Sequence, residues 1–415
     1  MSELSRLSRV TMAERVKITI VGAGLVGCAI AYQLSKKYDE IFVIEKNPKV
    51  TAENQSSRNS GVIHAGIYYP KKESPLKANL CVKGNQMLYD FCREFNVPHK
   101  KTGKIVLAAE KWELDYLQDT YQIAMENNVP GARIISAEDA TEIEPNIRCI
   151  QAAYFPTSGI VEPTQLVYRL YTLALSEEVY FMTNTQVIAI KAENGVFSIT
   201  TKTGDLVDTF ESEYLINSAG LYSDEIARMI NPDCYFEIFP VRGEIAKFYK
   251  SRRKEIFHAG SNIYPVPHPL DQNGRKMSIP FQEFQKLFKE KKVLKTVGVH
   301  LTPTFDFING DYEIGNTVTI GPATKTVIDK EDYSSDLYPP KYYYDQVHCF
   351  FPNLKIEEIS LHQAGVQAKL KNQFDWVIEP DENYPKLINL IGIDSPGLTA
   401  CLAIAKYVEE LIGMV

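Results

Sequence analysis

Apolar residues in this chain fall into two kinds of run. Some are short, unbroken and β-branched, the pattern of a strand buried on both faces. Others recur every three or four residues, the pattern of an amphipathic helix. Lys17 to Val21 is of the first kind and predicts a strand. Gly22-Ala23-Gly24-Leu25-Val26-Gly27 follows at once, then an apolar run of helical length from Cys28 to Leu34. A second strand, Ile41 to Ile44, ends at Glu45. The order of apolar strand, small-residue turn and helix returns twice. Leu215-Ile216-Asn217 enters Ser218-Ala219-Gly220 before a helix over Ser223 to Ile230. Leu387 to Ile391 enters Gly392-Ile393-Asp394-Ser395-Pro396-Gly397 before an apolar helix from Leu398 to Leu411.

Between these blocks the pattern predicts helices over 75–95, 111–127 and Gln165 to Leu175, and a strand at Ile105 to Ala108. Residues 47–70 are too rich in glycine and serine for a regular helix, and Pro145 and Pro156 mark a loop region. Strands are expected at Gln186 to Lys191, Val196 to Thr201 and Tyr214 to Asn217. Two of them, with the Gly204-Asp205 turn, suggest an antiparallel hairpin region inserted in an α/β domain. Residues 236–268 and 296–321 are strand-prone, 271–295 polar and lysine-rich, and Tyr338 to Phe351 a tyrosine-rich helix or loop. No internal repeat or interdomain linker is visible, which fits domains woven from non-contiguous segments.

The first block is a dinucleotide-binding fingerprint in its required context, with an acid about twenty residues after the glycines. Gly22 permits a tight turn, Gly24 lets backbone approach a pyrophosphate, and Gly27 lets helix and strand pack closely. The helix N-terminus adds N–H groups and partial positive charge, and Glu45 would accept from an adenosine ribose. The fingerprint alone does not separate NAD from FAD. Three nucleotide-facing turns, at the start, middle and end of the chain, suit FAD, because a nicotinamide domain needs only one contiguous block. Ala219-Gly220 would form the second turn. Gly392, Ser395, Pro396, Gly397, Leu398 and Thr399 would form the third, where a helix N-terminus can stabilise negative charge on a reduced flavin. A further stretch, Ser57-Arg58-Asn59-Ser60-Gly61-Val62-Ile63-His64-Ala65-Gly66, would pass over the cofactor. There Ser57, Arg58, Asn59 and Ser60 offer donors to a pyrophosphate, Gly61 and Gly66 allow close approach, and His64 would lie near the reactive ring. Plain loop solvation for the polar side chains, and a structural role for the histidine, are the competing readings.

Composition narrows the function classes. The 415 residues allow two or three cores, and a net charge of −7 argues against a general nucleic-acid surface. Seven scattered cysteines without a CxxC pair argue against a disulfide framework or zinc site, and read as reduced thiols. No apolar run approaches the roughly 20 residues of a membrane span. The N-terminal sixteen residues have no secretory apolar core. Arg6, Arg9 and Arg15 with several serines suggest a mitochondrial presequence faintly, against which a disordered tail is the preferred reading.

The sequence resembles the L-2-hydroxyglutarate dehydrogenase/oxidase family, within the D-amino-acid-oxidase-like class of FAD enzymes. The resemblance rests on GAGLVG, SRNSGVIHAGIYY, KANLCVKG (77–84), CREFNVPHKKTGK (92–104), SGIVEP (158–163), NSAGLYSD (217–224), PVRGE (240–244), NIYPVP (262–267), GVHLTPT (298–304) and GIDSPGLTACLAIA (392–405). It implies an α/β fold: a Rossmann-like FAD-binding domain of glutathione-reductase type from 16–84, 150–235 and 360–415, and an α+β substrate domain with a mostly antiparallel sheet from 85–149 and 236–359. It implies oxidation of a 2-hydroxy dicarboxylate, L-2-hydroxyglutarate first, with hydride passing to flavin N5 and electrons to quinone or oxygen. His64, then His300, would take the hydroxyl proton. Arg242, then Tyr264, Tyr68 and Lys369, would hold the carboxylates. Lys46, Val187 and Gly365 join the implied FAD contacts, and the flavin is expected to be non-covalent. A glycerol-3-phosphate dehydrogenase or amino-acid oxidase of the same fold, and a non-catalytic FAD-binding scaffold, are the alternatives.

The chain departs from the family twice. Gln367 stands where members tend to carry the arginine of AGVRAQ. Residues 281–295 place Phe281, Phe284, Leu287 and Phe288 on one helical face and five lysines on the rest. That is the pattern of an interfacial helix on anionic lipid, or of a helix packed on its own domain with a solvated lysine face. The resemblance implies a cytoplasmic enzyme, peripheral on the inner membrane if 281–295 meets lipid, and mitochondrial if the source is eukaryotic.

Overall fold

The computed structural model describes residues 15–51, 54–271, 276–336 and 338–414; the N-terminal presequence reading lies outside them, apart from Arg15. Arg15–Val21 is the hub of the first sheet. It pairs in parallel with Ile41–Ile44 on one side and with Leu206–Asn217 on the other. Leu206–Asn217 in turn takes Leu387–Ile391 in parallel, Leu215 opposite Leu387 and Asn217 opposite Asn389. All three glycine bends therefore leave from the same carboxyl-terminal edge of one parallel core, where ligands of open α/β sheets bind. Asn217 ties that edge together, its amide donating to Asn389 Oδ1 at 2.9 Å and to the Ser223 carbonyl at 2.7 Å.

Helices cover the parallel core of this sheet because those strands are largely buried on both faces. Leu25–Leu34 has no charged residue and is buried almost throughout, and with Pro75–Glu94, Pro163–Ser176 and Gly397–Ile412 it builds the largest core. Pro75–Glu94 and Gly397–Ile412 touch backbone to backbone: a Cβ on Gly84 would sit 2.6 Å from the Thr399 carbonyl oxygen.

The second large sheet is mostly antiparallel. Its order runs Ser360–Leu370, Ile238–Tyr249, Asp311–Thr326, His300–Ile308, Asn262–Pro265, Lys104–Ala108, Gln151–Phe155, Arg133–Ser136. Gln151–Phe155 and Ser360–Leu370 belong here, although the expected division gives both to the first unit. Both are chain crossings between the sheets, which a division by sequence block cannot place.

Other departures from the expected elements have local causes. The strand expected from Tyr214 begins at Leu206. Its first half, with Asp208 and Glu211, is largely exposed on the hairpin, so no apolar run announces it. The loop expected around Pro145 and Pro156 contains Gln151–Phe155, and the tyrosine-rich stretch is helical over Pro340–Val347.

The lysine-rich stretch forms the helix Phe281–Lys289. Phe284 is buried, and Phe281 and Phe284 stand 4.9 and 5.6 Å from Tyr116 on the helix Leu114–Glu126. The face that would enter lipid is used inside the chain, and the lysines face outward. Among the described residues no helix is long and apolar enough to cross a membrane. Purified protein is accordingly expected to stay with the soluble fraction when floated with anionic liposomes at low salt. Co-flotation would show that the helix leaves its seat on Tyr116.

Candidate active site and nucleotide-binding turns

The first two turns are pressed together. Gly22 has φ +100° and its Cβ would lie 2.6 Å from the Ser218 carbonyl oxygen; a Cβ on Gly27 would lie 1.9 Å from the Gly22 carbonyl oxygen. Ser218 Oγ donates to the carbonyls of Val21 and Gly22. Gly24 is the N-cap of Leu25–Leu34, and no acid occupies that helix's first turn. Glu45 is buried, with Oε2 accepting from Ala23 N–H and Oε1 from Asn47 N–H, both at 2.9 Å. Each oxygen keeps a lone pair for a ribose hydroxyl. Gly220 takes φ +59° and has open space where its Cβ would be. Val187 is buried in the small cluster against which Ala219 packs.

Residues 54–61 cross above these turns. Ser56, which sequence reading passed over, accepts from Leu25 N–H at 2.8 Å, and Ser57 Oγ is buried without a hydrogen-bond partner. Asn59 folds the loop itself, donating to the carbonyls of Gln55 and Ser56 and accepting from Gly61 N–H. Ser60 is half-buried on the same loop. Arg58 donates to the Ala364 carbonyl at 3.3 Å and lies 4.7 Å from the Tyr333 ring centroid. Gly365 lets the loop pass, since its Cβ would meet the Arg58 carbonyl oxygen at 2.2 Å. Lys46 pairs with Glu331 and lies over the Tyr222 ring. The glycine cradle, the helix start without an acid in its first turn and the orphaned Ser57 hydroxyl fit an adenine–flavin dinucleotide.

His64 closes the same loop against the third turn. Its N–H donates to Thr399 Oγ1 at 2.9 Å, Nε2 lies 3.2 Å from Ser395 Oγ, and Nδ1 is buried without a partner. Gly392 holds the turn at φ +77°, and Gly397 N–H donates to the Asp394 carbonyl. Pro396 and Gly397 are buried at the helix start, with Leu398 half-buried behind them.

The second sheet supplies the opposite wall. Side chains alternate along strands, so residues two apart share a face. Ile263 is opposite Leu301, which sets Tyr264 beside His300, while Lys104 is opposite Asn262, two positions from Tyr264 on the same face. The outcome is a stack. Tyr264 and His300 lie parallel with centroids 3.8 Å apart, Tyr68 is 6.2 Å from Tyr264, and Lys104 Nζ stands 3.8 Å from the Tyr264 centroid. His300 Nδ1 lies 3.2 Å from Thr302 Oγ1. Burial, then the nearby Lys104, holds His64 and His300 well below the ordinary histidine range. Burial pushes the phenols of Tyr68 and Tyr264 up and Lys104 down to about 7. The arrangement offers two neutral imidazoles, two phenol donors and one ammonium that titrates near neutrality.

Lys104 was not among the sequence candidates. Only its parity with Val106 in an otherwise apolar strand marks it. Two expected cations have other surroundings. Arg242 is buried at 2% exposure with its charge already met by Glu244 at 3.0 Å, Asp336 at 3.3 Å and Asp332, and it donates to Ser334. Lys369 is exposed, in register with the exposed Phe239, and no contact joins it to the imidazoles.

Comparison with known proteins bears on the family and the fold. The profile described as FAD dependent oxidoreductase (DAO) matches residues 17–411. L-2-hydroxyglutarate dehydrogenase of Indibacter alkaliphilus is 33% identical, over 95% of this chain and 98% of that protein. Glycerol 3-phosphate dehydrogenase of Caloramator mitchellensis is 30% identical, over 95% of this chain and 73% of that one. Among solved structures, dithionite-reduced L-alpha-glycerophosphate oxidase from Mycoplasma pneumoniae with FAD bound shares the fold. Its TM-score is 0.79 at 24% identity, covering 97% of this chain and 95% of that one.

Proposed function

The chain belongs to the DAO family of FAD-dependent oxidoreductases, and from that premise we propose that it oxidises a small 2-hydroxy acid, L-2-hydroxyglutarate to 2-oxoglutarate before others. The observation that carries the proposal is the wall in which His300 and Tyr264 stack beside Lys104, facing His64. Bound FAD supplies the acceptor for the hydride that leaves the carbinol carbon. The chain must then take the hydroxyl proton and hold the acid group. A neutral imidazole can accept the proton without first losing one of its own, and both histidines are neutral near pH 7. His64 is assigned first, because its Nδ1 has no other partner and its loop spans two of the glycine turns. Tyr68 and Tyr264, kept protonated by burial, are donors for a carboxylate. Arg242 is reassigned to fastening the acidic segment 332–336 onto the second sheet.

Gln367 in place of the family guanidinium favours a second reading, a substrate with one anionic group, of which glycerol 3-phosphate is the nearest example. Anaerobic titration of the yellow protein with 2-hydroxy acids and glycerol 3-phosphate separates the readings. Bleaching of the flavin band by L-2-hydroxyglutarate alone is expected. Bleaching by glycerol 3-phosphate alone would establish the second reading, and bleaching by neither would overturn both and leave the amino-acid oxidase and the non-catalytic FAD scaffold as the alternatives. Electrons are proposed to leave to quinone or oxygen.

A further inference from the structure

Three cationic side chains are buried among the described residues, and they are not alike. Lys77 meets Asp394 at 2.8 Å, and Arg242 meets three carboxylates. Lys104 is at 0% exposure, and its Nζ has no hydrogen-bond partner. A buried cation without a counter-ion is unfavourable unless an anion arrives or the proton leaves. The residue is in a tightly specified place. Its backbone is paired on both sides, with Asn262 and with Phe155. Its neighbour Gly103, at φ +74°, passes under the Tyr154 ring, whose hydroxyl lies 2.5 Å from where a Cβ would stand. The Tyr264 and Tyr68 rings, 3.8 and 5.3 Å from Nζ at their centroids, stabilise an ammonium partly but neutralise nothing.

We propose that Lys104 is the anchor for the substrate's anionic group, an oxyanion of carboxylate or phosphate type, and that the site takes up a proton when that group binds. The proposal rests on the oxidase reading of the same pocket and deepens it. It names one charge–charge contact, made on the face shared with Tyr264 and His300, as the main source of acid recognition. The groups facing Lys104 are His64, His300, Tyr68, Tyr264 and the Cys81 thiol from Pro75–Glu94. No carboxylate is among those groups. Burial holds the free ammonium down to about 7, so at pH 8 it is mostly unprotonated, and an arriving anion favours its charged form. Anion affinity should therefore fall as pH rises above about 7, approaching tenfold per unit.

The test uses the FAD-loaded full chain and two redox-inert probes, glutarate and inorganic phosphate, read by perturbation of the flavin spectrum. Calorimetry at pH 8 in buffers of different ionisation enthalpy counts protons. Glutarate binding is expected to take up close to one proton, and Lys104→Met to weaken it about 10- to 150-fold while abolishing both uptake and pH slope. Lys104→Arg, always charged, is expected to keep binding and lose the slope, which covers the case in which the methionine variant does not fold. Phosphate binding through Lys104 in place of glutarate keeps the anchor and moves the substrate to a phosphomonoester. Wild-type affinity and slope in Lys104→Met, or no perturbation by either probe, would overturn the anchor. Its fate is separable from that of the oxidation: a flavin that bleaches normally with L-2-hydroxyglutarate and a Lys104→Met variant of unchanged affinity leave the reaction standing and the anchor refuted.

Discussion

Replacing His64 by alanine should slow anaerobic flavin reduction by about 10²- to 10⁴-fold, the range for loss of a positioned general base. The backbone contact to Thr399 survives the change, because it is made by the His64 N–H. The yellow colour and the melting temperature should therefore change little, and the loss should fall on the reduction rate. The pH profile carries independent information. Burial holds the imidazole well below its ordinary value, so its basic form persists above that lowered value and is lost only as pH falls through it. The wild-type reduction rate should stay flat on that account down through pH 6.5, and the variant should lose the acidic limb that lies lower still. Added imidazole should restore part of the rate. A His64→Ala enzyme within threefold of wild type, beside a His300→Ala enzyme that has lost the same factor, would transfer the proton-accepting role across the pocket to His300.

That two histidines so far apart in sequence face each other was readable only in part. The three glycine bends announce themselves, because a buried parallel strand must be apolar and its turn must be small, and both requirements leave letters in the chain. Position 264 beside position 300 follows from strand register, which no local pattern encodes. Lys104 was overlooked for the same reason. It opens an apolar run, and a lysine at a strand end reads as solvated until Asn262 is known to lie opposite it. Arg242 shows the same limit from the other side: a guanidinium in a glycine-rich strand reads as a ligand-binding group, and the carboxylates that meet it, Asp332 and Asp336, come from a segment some ninety residues on that only folding brings to it. The phenylalanine stripe of 281–288 forms one face, as its spacing predicts. What that face meets, lipid or Tyr116, is tertiary information.

The glycine bends carry the second large expectation. Gly27→Ala should yield a protein that purifies colourless and stays so after incubation with FAD. Gly27 has no left-handed φ to protect; its added Cβ would stand 1.9 Å from the Gly22 carbonyl oxygen, a backbone atom that cannot rotate away. Either the helix Leu25–Leu34 lifts from Arg15–Val21, or the Gly22 turn shifts and takes with it the Ser218 hydroxyl that donates to it. Both moves displace the helix end that must meet the pyrophosphate. The overpacking itself should cost about 1–3 kcal/mol of stability, read as a lowered melting temperature. A control separates that cost from the cofactor's loss. Gly204 sits at φ +60° in the exposed hairpin turn with nothing near its Cβ position. Gly204→Ala should pay a comparable conformational penalty, about 1–2 kcal/mol, and remain yellow. If Gly27→Ala also remained yellow, the first turn would not be where the dinucleotide approaches backbone, and the convergence of three bends on one sheet edge would need another explanation.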